Sequence, residues 1–362
     1  MKNLILVLPS FFNNSGHENA FINSYKIISI QKKYSLHLII AENNDLKIPG
    51  NIYKIAPKIN YNNFFFSKLI KSFFLIFIFF FRLLKFVKKI GKNNKNYYLI
   101  DGCSFFYFLS LLLLFLWTGK QTKLLYYLRE DLDQKPIYSL IFSIFINLCK
   151  KLFFDSVIII TDNDPLEKKL KKKYTLQILK LPIPHIFKSK KNNYKRFDKI
   201  IWLPGPFRQD KGKNNVIKFL QNNQSEDFLL KINKNFNIIN SKVSNVLNSL
   251  TRQKYEFFFK KVSAIILPYN CSSYQYRTSG IFVESVIAGK LLFVSSDTWM
   301  AEELKKFKLK ELIVKDWGEL SIKVIKNFFF NKNILHKINK MSFNYANYHN
   351  KNTFIKKLSN AL

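Results

Sequence analysis

The chain is poor in cysteine, histidine and acidic residues. It has 3 cysteines and 5 histidines in 362 residues, and its 23 acidic residues stand against 59 basic ones. The cysteines are scattered and form no C-x-x-C pair, so the sequence predicts no disulfide framework and favours a reducing, cytoplasmic compartment. The histidines also lack the spacing of metal ligands. We therefore predict no metal site.

The shortage of acids leaves a formal net charge of +36. Such a charge favours anionic partners, whether a membrane surface, nucleic acid or a phosphorylated substrate. However, lysine, asparagine, isoleucine and phenylalanine are all abundant. A genome rich in A/T codons produces this combination too, and with it an excess of lysine. The charge thus supports an anionic partner without identifying it. A hydrophobic share of 48% excludes global disorder, and the length suits two domains.

Long uncharged runs are few. In "NNFFFSKLIKSFFLIFIFFFRLLKFVKKI" the longest, Ser72 to Phe81, is too short to span a bilayer. If the whole quoted stretch forms a helix, its five cations share one side, which is typical of a helix lying in a membrane interface. These cations are Lys68, Lys71, Arg82, Lys85 and Lys89. The alternative is a helix that covers a core and turns its lysines to water.

A second apolar run has no charge from Gly102 to Gly119, which reaches the lower limit for a membrane span. The flanking stretches "YYLID" and "KLLYYL" both resemble strands, so we favour the crossover helix of a β-α-β unit. An integral membrane protein that spans here is the alternative. The N-terminus "MKNLILVLPSFFNN" lacks a small-residue cleavage site and is predicted to be a first buried strand.

Strands and helices alternate along the chain, which predicts parallel α/β sheets. The alternation occurs twice, separated by a linker rich in proline, lysine and asparagine near Ile183 to Asp198. We predict domains at 1–185 and 198–340, and a C-terminal helical tail at 341–362. In "DNDPLEKKLKKKY" Asp164 is the predicted N-cap of a helix.

Two loops of the second half follow strands, where open α/β sheets bind ligands. In "LPGPFRQDKGKNN" Gly205 ends a strand, and Arg208 and Lys211 precede a helix whose N-terminus favours anions. A solvated turn is the alternative for either cation.

The second loop is "YQYRTSGIFVESVIAGK". Ser279 and Gly280 open a helix there, and Gly280 permits close approach of a phosphate. Glu284 lies one turn further on and is suited to accept hydrogen bonds from a diol such as a ribose. The alternative is an exposed helix glutamate, but the apolar flanks predict burial.

In the first half, "NNSGHEN" places Gly16 and His17 at a helix start after the first strand. His17 is a candidate catalytic base or hydrogen-bond donor, and a histidine without a role is the alternative. "YLREDLDQKP" places Arg129, Glu130 and Asp131 after another strand, which is a less specific signal.

These motifs resemble those of the GT-B glycosyltransferases of the "glycosyl transferases group 1" type. "IIWLPGPFRQDKG" is similar to their phosphate loop, and the string from Tyr274 to Lys290 is similar to their donor-binding segment, Arg277 included. The resemblance covers roughly Lys199 to Met300. It implies an α/β fold of two Rossmann-like domains facing a central cleft. The chain departs from the family's pattern at two positions. Pro206 stands where the family has an arginine directly after the glycine, and Tyr276 stands where many relatives have a second glutamate.

The resemblance implies transfer of a sugar from a nucleotide-sugar held by the C-terminal domain to an acceptor held by the N-terminal domain. Arg208 and Lys211 would neutralise the leaving diphosphate, Ser279 and Gly280 would donate amides to it, and Glu284 would bind the ribose. Cations and helix dipoles stabilise the leaving group, so no metal and no cofactor besides the nucleotide-sugar co-substrate are expected.

We therefore expect a cytoplasmic glycosyltransferase, peripheral on an anionic inner membrane, with a glycan or lipid-linked acceptor of cell-envelope polysaccharide synthesis. A nucleotide-sugar epimerase of the same fold is one alternative. A non-catalytic protein that binds nucleotides or nucleic acid is another, although no helix-turn-helix, finger or stacking motif supports specific nucleic-acid binding.

Overall fold

The computed structural model of the chain describes residues 2–9, 17–42, 51–57, 65–91, 94–101, 105–118, 122–129, 131–134, 136–153, 156–185, 197–204, 209–233, 242–246, 254, 257, 259 and 261–362. It divides into two compact units. The first comprises Met1–Leu181 together with Phe354–Leu362, and the second comprises Pro182–Thr353.

The first unit is built on a seven-stranded parallel sheet. Its strands are β1 (Lys2–Val7), β2 (Ser35–Ala41), β3 (Asn51–Ala56), β4 (Lys95–Ile100), β5 (Thr122–Tyr127), β6 (Val157–Thr161) and β7 (Gln177–Lys180). Its helices include α1 (His17–Gln31), α2 (Phe65–Ile90), α3 (Phe105–Thr118), α4 (Pro136–Phe153) and α5 (Asp164–Lys173). The central strands are buried along their length, as a sheet with helices on both faces requires.

The strand order is β3-β2-β1-β4-β5-β6-β7. The connection from β1 to β2 therefore runs in one direction across the sheet, and the connections from β3 to β7 run in the other. Because such crossovers are right-handed, α1 lies on one face and α2, α3, α4 and α5 lie on the opposite face.

The second unit is built on a six-stranded parallel sheet. Its strands are β8 (Ile200–Trp202), β9 (Leu229–Asn233), β10 (Val243–Val246), β11 (Ala264–Leu267), β12 (Leu292–Ser295) and β13 (Ile313–Val314). Its helices include α6 (Lys213–Asn222), α7 (Cys271–Tyr274), α8 (Gly280–Ile287), α9 (Trp299–Lys306), α10 (Ile322–Phe330) and α11 (Lys332–Tyr348). The order β10-β9-β8-β11-β12-β13 is that of a dinucleotide-binding Rossmann sheet.

The last helix is α12 (Lys351–Ala361), and from Phe354 onward it belongs to the first unit. The ring of Phe354 lies 5.3 Å from that of Phe21 and 5.7 Å from that of Tyr25, both on α1. α12 therefore covers the same face of the first sheet as α1.

Within the uncharged run from Gly102 to Gly119, Phe105–Thr118 form α3 between β4 and β5, which confirms the prediction of a crossover helix. Among the residues that the structure describes, no helix is long and apolar enough to cross a membrane. The N-cap of α5 is Asn163, whose side chain accepts from the Leu166 amide, so the prediction of Asp164 as the cap was wrong by one residue. Two adjacent residues of similar capping chemistry explain the shift.

The cations predicted to share one side of α2 have different surroundings where the structure describes them. Lys85 is exposed, and Lys89 lies over the Tyr53 ring. Arg82 is paired with Glu42 and donates to the Ile55 carbonyl at 3.2 Å. The side chains of Lys68 and Lys71 lie outside the described residues.

Candidate functional site

The loops after β8 and β11 lie side by side at the carboxyl edge of the second sheet. β8 and β11 are hydrogen-bonded neighbours, with Ala264 opposite Ile201. The order of strands reverses between them, because β9 follows on one side and β12 on the other. Such a switch point is where open α/β sheets bind ligands. We call the described residues 203–204 and 209–212 the β8 loop, and residues 268–279 the β11 loop.

The two loops are tied together by hydrogen bonds. The Asn270 amide donates to the Asp210 carbonyl at 3.0 Å, and its side chain donates to the Gln209 carbonyl at 3.2 Å. Gly212 makes this close approach possible, since it has a φ of 80° and a Cβ there would lie 1.7 Å from the Pro268 oxygen. Only glycine fits a position that combines left-handed backbone with such a contact.

The cations of these loops are held against aromatic rings. Lys211 is 6% exposed, and its Nζ lies 5.2 Å from the centre of the Tyr269 ring. The Arg277 guanidinium lies 5.4 Å from the Tyr274 ring, and its Nη1 lies 3.8 Å from Asp210 Oδ2. Burial of Lys211 rules out the alternative of a solvated turn for this residue. A largely desolvated cation attracts anions more strongly than one in water.

Ser279 and Gly280 open α8 as the sequence predicted. Ser279 is the N-cap, and its hydroxyl accepts from the Phe282 amide at 3.2 Å. By helix geometry the amides of Gly280 and Ile281 have no acceptor within the helix. The start of α8 therefore presents backbone donors and a partial positive charge beside the β11 loop.

Glu284 lies one turn inside α8 and is 3% exposed. Every residue from Phe282 to Ile287 is buried, so the alternative of an exposed helix glutamate is wrong. α8 is held by its neighbours: the Phe282 ring lies 5.3 Å from that of Trp299, and Ser342 Oγ donates to the Ile287 carbonyl at 2.7 Å. This packing fixes the position of the carboxylate.

One partner of Glu284 is His185, whose Nδ1 lies 3.5 Å from Glu284 Oε1. His185 belongs to the start of the second unit, where it forms an isolated bridge with Asn350. The nearby Ile183 amide donates to His349 Nδ1 at 3.1 Å. Sequence reasoning missed His185, because it lies in a stretch interpreted as linker and no local pattern connects it to Glu284.

Five predicted residues of the second unit are described, and they lie on the β8 loop, the β11 loop and the first two turns of α8, namely Lys211, Arg277, Ser279, Gly280 and Glu284. Three others, Gly16, Gly205 and Arg208, lie outside the described residues. His17 is the first residue of α1, and its side chain is likewise not described. In the described part of the chain, no group of three or more His, Cys, Asp and Glu residues is suited to hold a metal ion.

A separate charged cluster lies at the carboxyl edge of the first sheet. Arg129, after β5, donates through Nε and Nη2 to the two oxygens of Asp101, each at 2.9 Å, and through Nη1 to Asp162 at 3.1 Å. Tyr25 also donates to Asp101, at 3.2 Å. Burial alone would lower the pKa of Arg129, but the carboxylates raise it overall, so the guanidinium stays charged. This cluster joins the ends of β4, β5 and β6.

Neither a family model nor a curated protein matches this sequence. Solved structures do match it along its whole length. Sucrose-phosphate synthase from Thermosynechococcus elongatus aligns over 99% of this chain and 98% of its own, with a TM-score of 0.66 and 11% identity. A glycosyltransferase from Rickettsia africae aligns over 99% and 97%, with a TM-score of 0.64 and 11% identity. A structure described as trehalose-6-phosphate from E. coli bound with UDP-2-fluoro glucose aligns over 99% of both chains, with a TM-score of 0.63 and 10% identity.

Similarity at this level of identity shows the fold. The chain has the GT-B fold, an α/β architecture with two Rossmann-like domains, which confirms the fold predicted from the sequence.

Proposed function

We propose that the protein is a glycosyltransferase that moves a sugar from a nucleotide-sugar to an acceptor. The observation that carries this proposal is the arrangement at the switch point of the second sheet, where Lys211, the start of α8 and the buried Glu284 lie on adjoining loops and one helix. A similar fold has been solved with UDP-2-fluoro glucose bound. Cations and helix amides suit a diphosphate, and a fixed carboxylate suits the hydroxyls of a ribose.

In this proposal the second unit stabilises the leaving group. Negative charge develops on the diphosphate as its bond to the sugar breaks, and groups already aimed at that charge lower the barrier. Lys211 and Arg277 supply full positive charges, and the amides of Gly280 and Ile281 supply partial ones. Because these groups neutralise the diphosphate, we expect the transfer to be metal-independent. His17 stays the candidate base for the acceptor hydroxyl.

We further propose that the acceptor is a glycan or lipid-linked molecule of cell-envelope polysaccharide synthesis, and that the enzyme works in the cytoplasm on the inner face of the membrane. The net charge of +36 supports a location beside anionic lipid. The exposed aromatic residues of α2 support it independently.

The test is incubation of the purified protein with a panel of nucleotide-sugars, followed by detection of released nucleoside diphosphate. We expect slow hydrolysis of one donor, slowed by roughly tenfold or more at low donor concentration in Glu284→Gln and Lys211→Met and retained by the exposed control Lys213→Met. Conversion of a donor to its epimer without release of diphosphate would indicate an epimerase instead. Folded protein that acts on no donor of the panel would contradict the proposal.

A further inference from the structure

One helical layer of the first unit has an apolar outer side. Ile76, Phe79 and Leu83 turn inward from α2 and are buried. On its outer side, Phe74 is 67% exposed and Phe81 is 59% exposed. The outward-facing apolar residues used below are Phe74, Phe77, Phe81, Trp117, Leu140 and Ile144, and we call them the docking face.

The docking face extends over neighbouring helices on one face of the first sheet. α2 and α3 pack directly, since Ser110 Oγ donates to the Ile76 carbonyl at 2.9 Å and the rings of Phe79 and Tyr107 lie 5.2 Å apart. α4 follows on the same face, because the crossovers from β4 to β6 are right-handed. Trp117 of α3 is 68% exposed and Leu140 of α4 is 63% exposed. Clustered exposure of this kind marks an interaction surface.

The charges of these helices are all of one sign. α2, α3 and α4 contain no aspartate or glutamate. Lys85 and Lys88 are exposed near the end of α2, and Lys85 follows Phe81 by four residues, so the two lie on one side of the helix. An apolar surface bordered by lysines, on helices that themselves contain no acidic residue, is complementary to a layer that is apolar inside and negative outside.

We propose that the docking face seats the protein on a bilayer that contains anionic lipid. Phenylalanine and tryptophan side chains enter the boundary between headgroups and acyl chains, and the lysines remain among the headgroup phosphates. A second copy of the chain fits less well, because each copy carries a net charge of +36 and the two faces would repel each other. The inference rests on the proposed function in one respect, namely that a lipid-linked acceptor lies in that bilayer.

The first experiment is cosedimentation of the full chain with vesicles of phosphatidylcholine and phosphatidylglycerol in similar amounts. We expect Phe77→Ser/Trp117→Ser to weaken binding by about tenfold or more, because both side chains leave the apolar layer. The matched control is Phe330→Ser/Phe343→Ser, which removes two aromatic residues of the second unit that are 48% and 62% exposed. The control should bind as the wild type does.

The second experiment changes the charge. Lys85→Glu/Lys88→Glu should weaken binding to these vesicles by about tenfold or more, and added salt should remove most of the difference. Lys323→Glu/Lys326→Glu makes the same change at exposed positions with the same spacing on α10, and it should have little effect. Vesicles of phosphatidylcholine alone should bind the wild type weakly.

The inference would be overturned if the variants and their controls lost vesicle binding to the same extent, or if the wild type did not bind anionic vesicles. A dimer that Phe77→Ser/Trp117→Ser dissociates, with vesicle binding unchanged, would also overturn it and assign the face to a second copy. Hydrolysis of the nucleotide-sugar without vesicles separates the two proposals. Retained hydrolysis with no vesicle binding overturns the docking face alone, and vesicle binding without hydrolysis of any donor overturns the proposed function alone.

Discussion

His185 Nδ1 lies 3.5 Å from Glu284 Oε1, and the two side chains are 2% and 4% exposed. A carboxylate this deeply buried is costly unless a partner compensates for the lost water. His185 supplies that partner from the start of the second unit, whereas Glu284 belongs to α8. The pair therefore couples the stability of the second unit to the position of the carboxylate that we assign to the donor ribose.

The first prediction concerns this coupling. His185→Leu should lower the free energy of unfolding by about 3 kcal/mol, because it removes a polar group paired with the buried Glu284 carboxylate. In the double variant with Glu284→Gln the loss should be smaller than the sum of the single losses by about 1 kcal/mol or more. Urea denaturation measures all four proteins. His336→Leu is the exposed histidine control on α11 and should be nearly neutral. Additive single losses would contradict the pairing.

The second prediction concerns Lys211. Lys211→Met should weaken binding of a nucleoside diphosphate by roughly tenfold to a hundredfold, because a charge-assisted contact to phosphate is lost. Binding of the corresponding nucleoside, which has no phosphate, should change little. Titration calorimetry with both ligands gives the comparison, and Lys213→Met, an exposed position two residues further on, is the control. Equal weakening of both ligands would refute a phosphate role.

The third prediction concerns Gly212. Gly212→Ala should lower the free energy of unfolding by about 2 kcal/mol or more, because its backbone is left-handed and the new Cβ would meet the Pro268 carbonyl. It should also weaken donor binding, since the β8 and β11 loops would move apart. Gly318→Ala is the matched control, with its nearest neighbour, Asp316 Oδ1, at 3.5 Å. If thermal denaturation shows the same small change for both variants, the close approach of the loops is wrong.

The fourth prediction concerns pH. Lys290 is 7% exposed, and burial lowers its pKa from 10.5 to about 8. Between these values the unfolded chain holds a proton that the folded chain has released, so the free energy of unfolding should rise with pH across that interval. Relative to Lys290→Met, the free energy of unfolding of the wild type should rise by about 3 kcal/mol from the lower to the upper end of this pH interval.

Urea denaturation across that pH range measures the difference, and subtraction of the Lys290→Met profile removes the contribution of the other titrating groups. Lys340→Met, at an exposed position on α11, should retain the wild-type profile. Parallel profiles for the wild type and Lys290→Met would show that Lys290 titrates alike in the folded and unfolded chains.

The parts of the site that could be predicted depend on short stretches of sequence. α8 was predicted because a capping serine precedes an apolar run, and the burial of Glu284 followed from its flanks. Lys211 was predicted as a site residue because it closely follows a strand in the sequence and precedes a helix. The pairing with His185 could not be predicted, because it joins residues far apart in the chain and depends on how α8 packs.

The orientation of α2 illustrates a second reason why parts of the structure could not be predicted from the sequence. Its cations mark one side of this helix, but apolar residues occupy the rest of its circumference, so the sequence does not reveal which of them pack on the sheet. Contacts with Tyr107 and Ser110 on α3 select the inner side and leave Phe74, Phe77 and Phe81 outside. The pairing of Arg82 with Glu42 likewise depends on tertiary structure, and it offsets the charge of one of the cations predicted to share a side of α2.

The fifth prediction tests the central claim, which is that the second unit binds a nucleotide-sugar through Glu284. Titration calorimetry of the wild type and Glu284→Gln with a panel of nucleotide-sugars is the direct measurement, and a cooperative thermal unfolding transition above the assay temperature would show that the variant folds. We expect the wild type to bind at least one donor and Glu284→Gln to bind it roughly tenfold to a hundredfold more weakly, because hydrogen bonds from the ribose to a charged acceptor are lost. Equal affinity of the two proteins, or no binding of any donor by the folded wild type, would contradict the account.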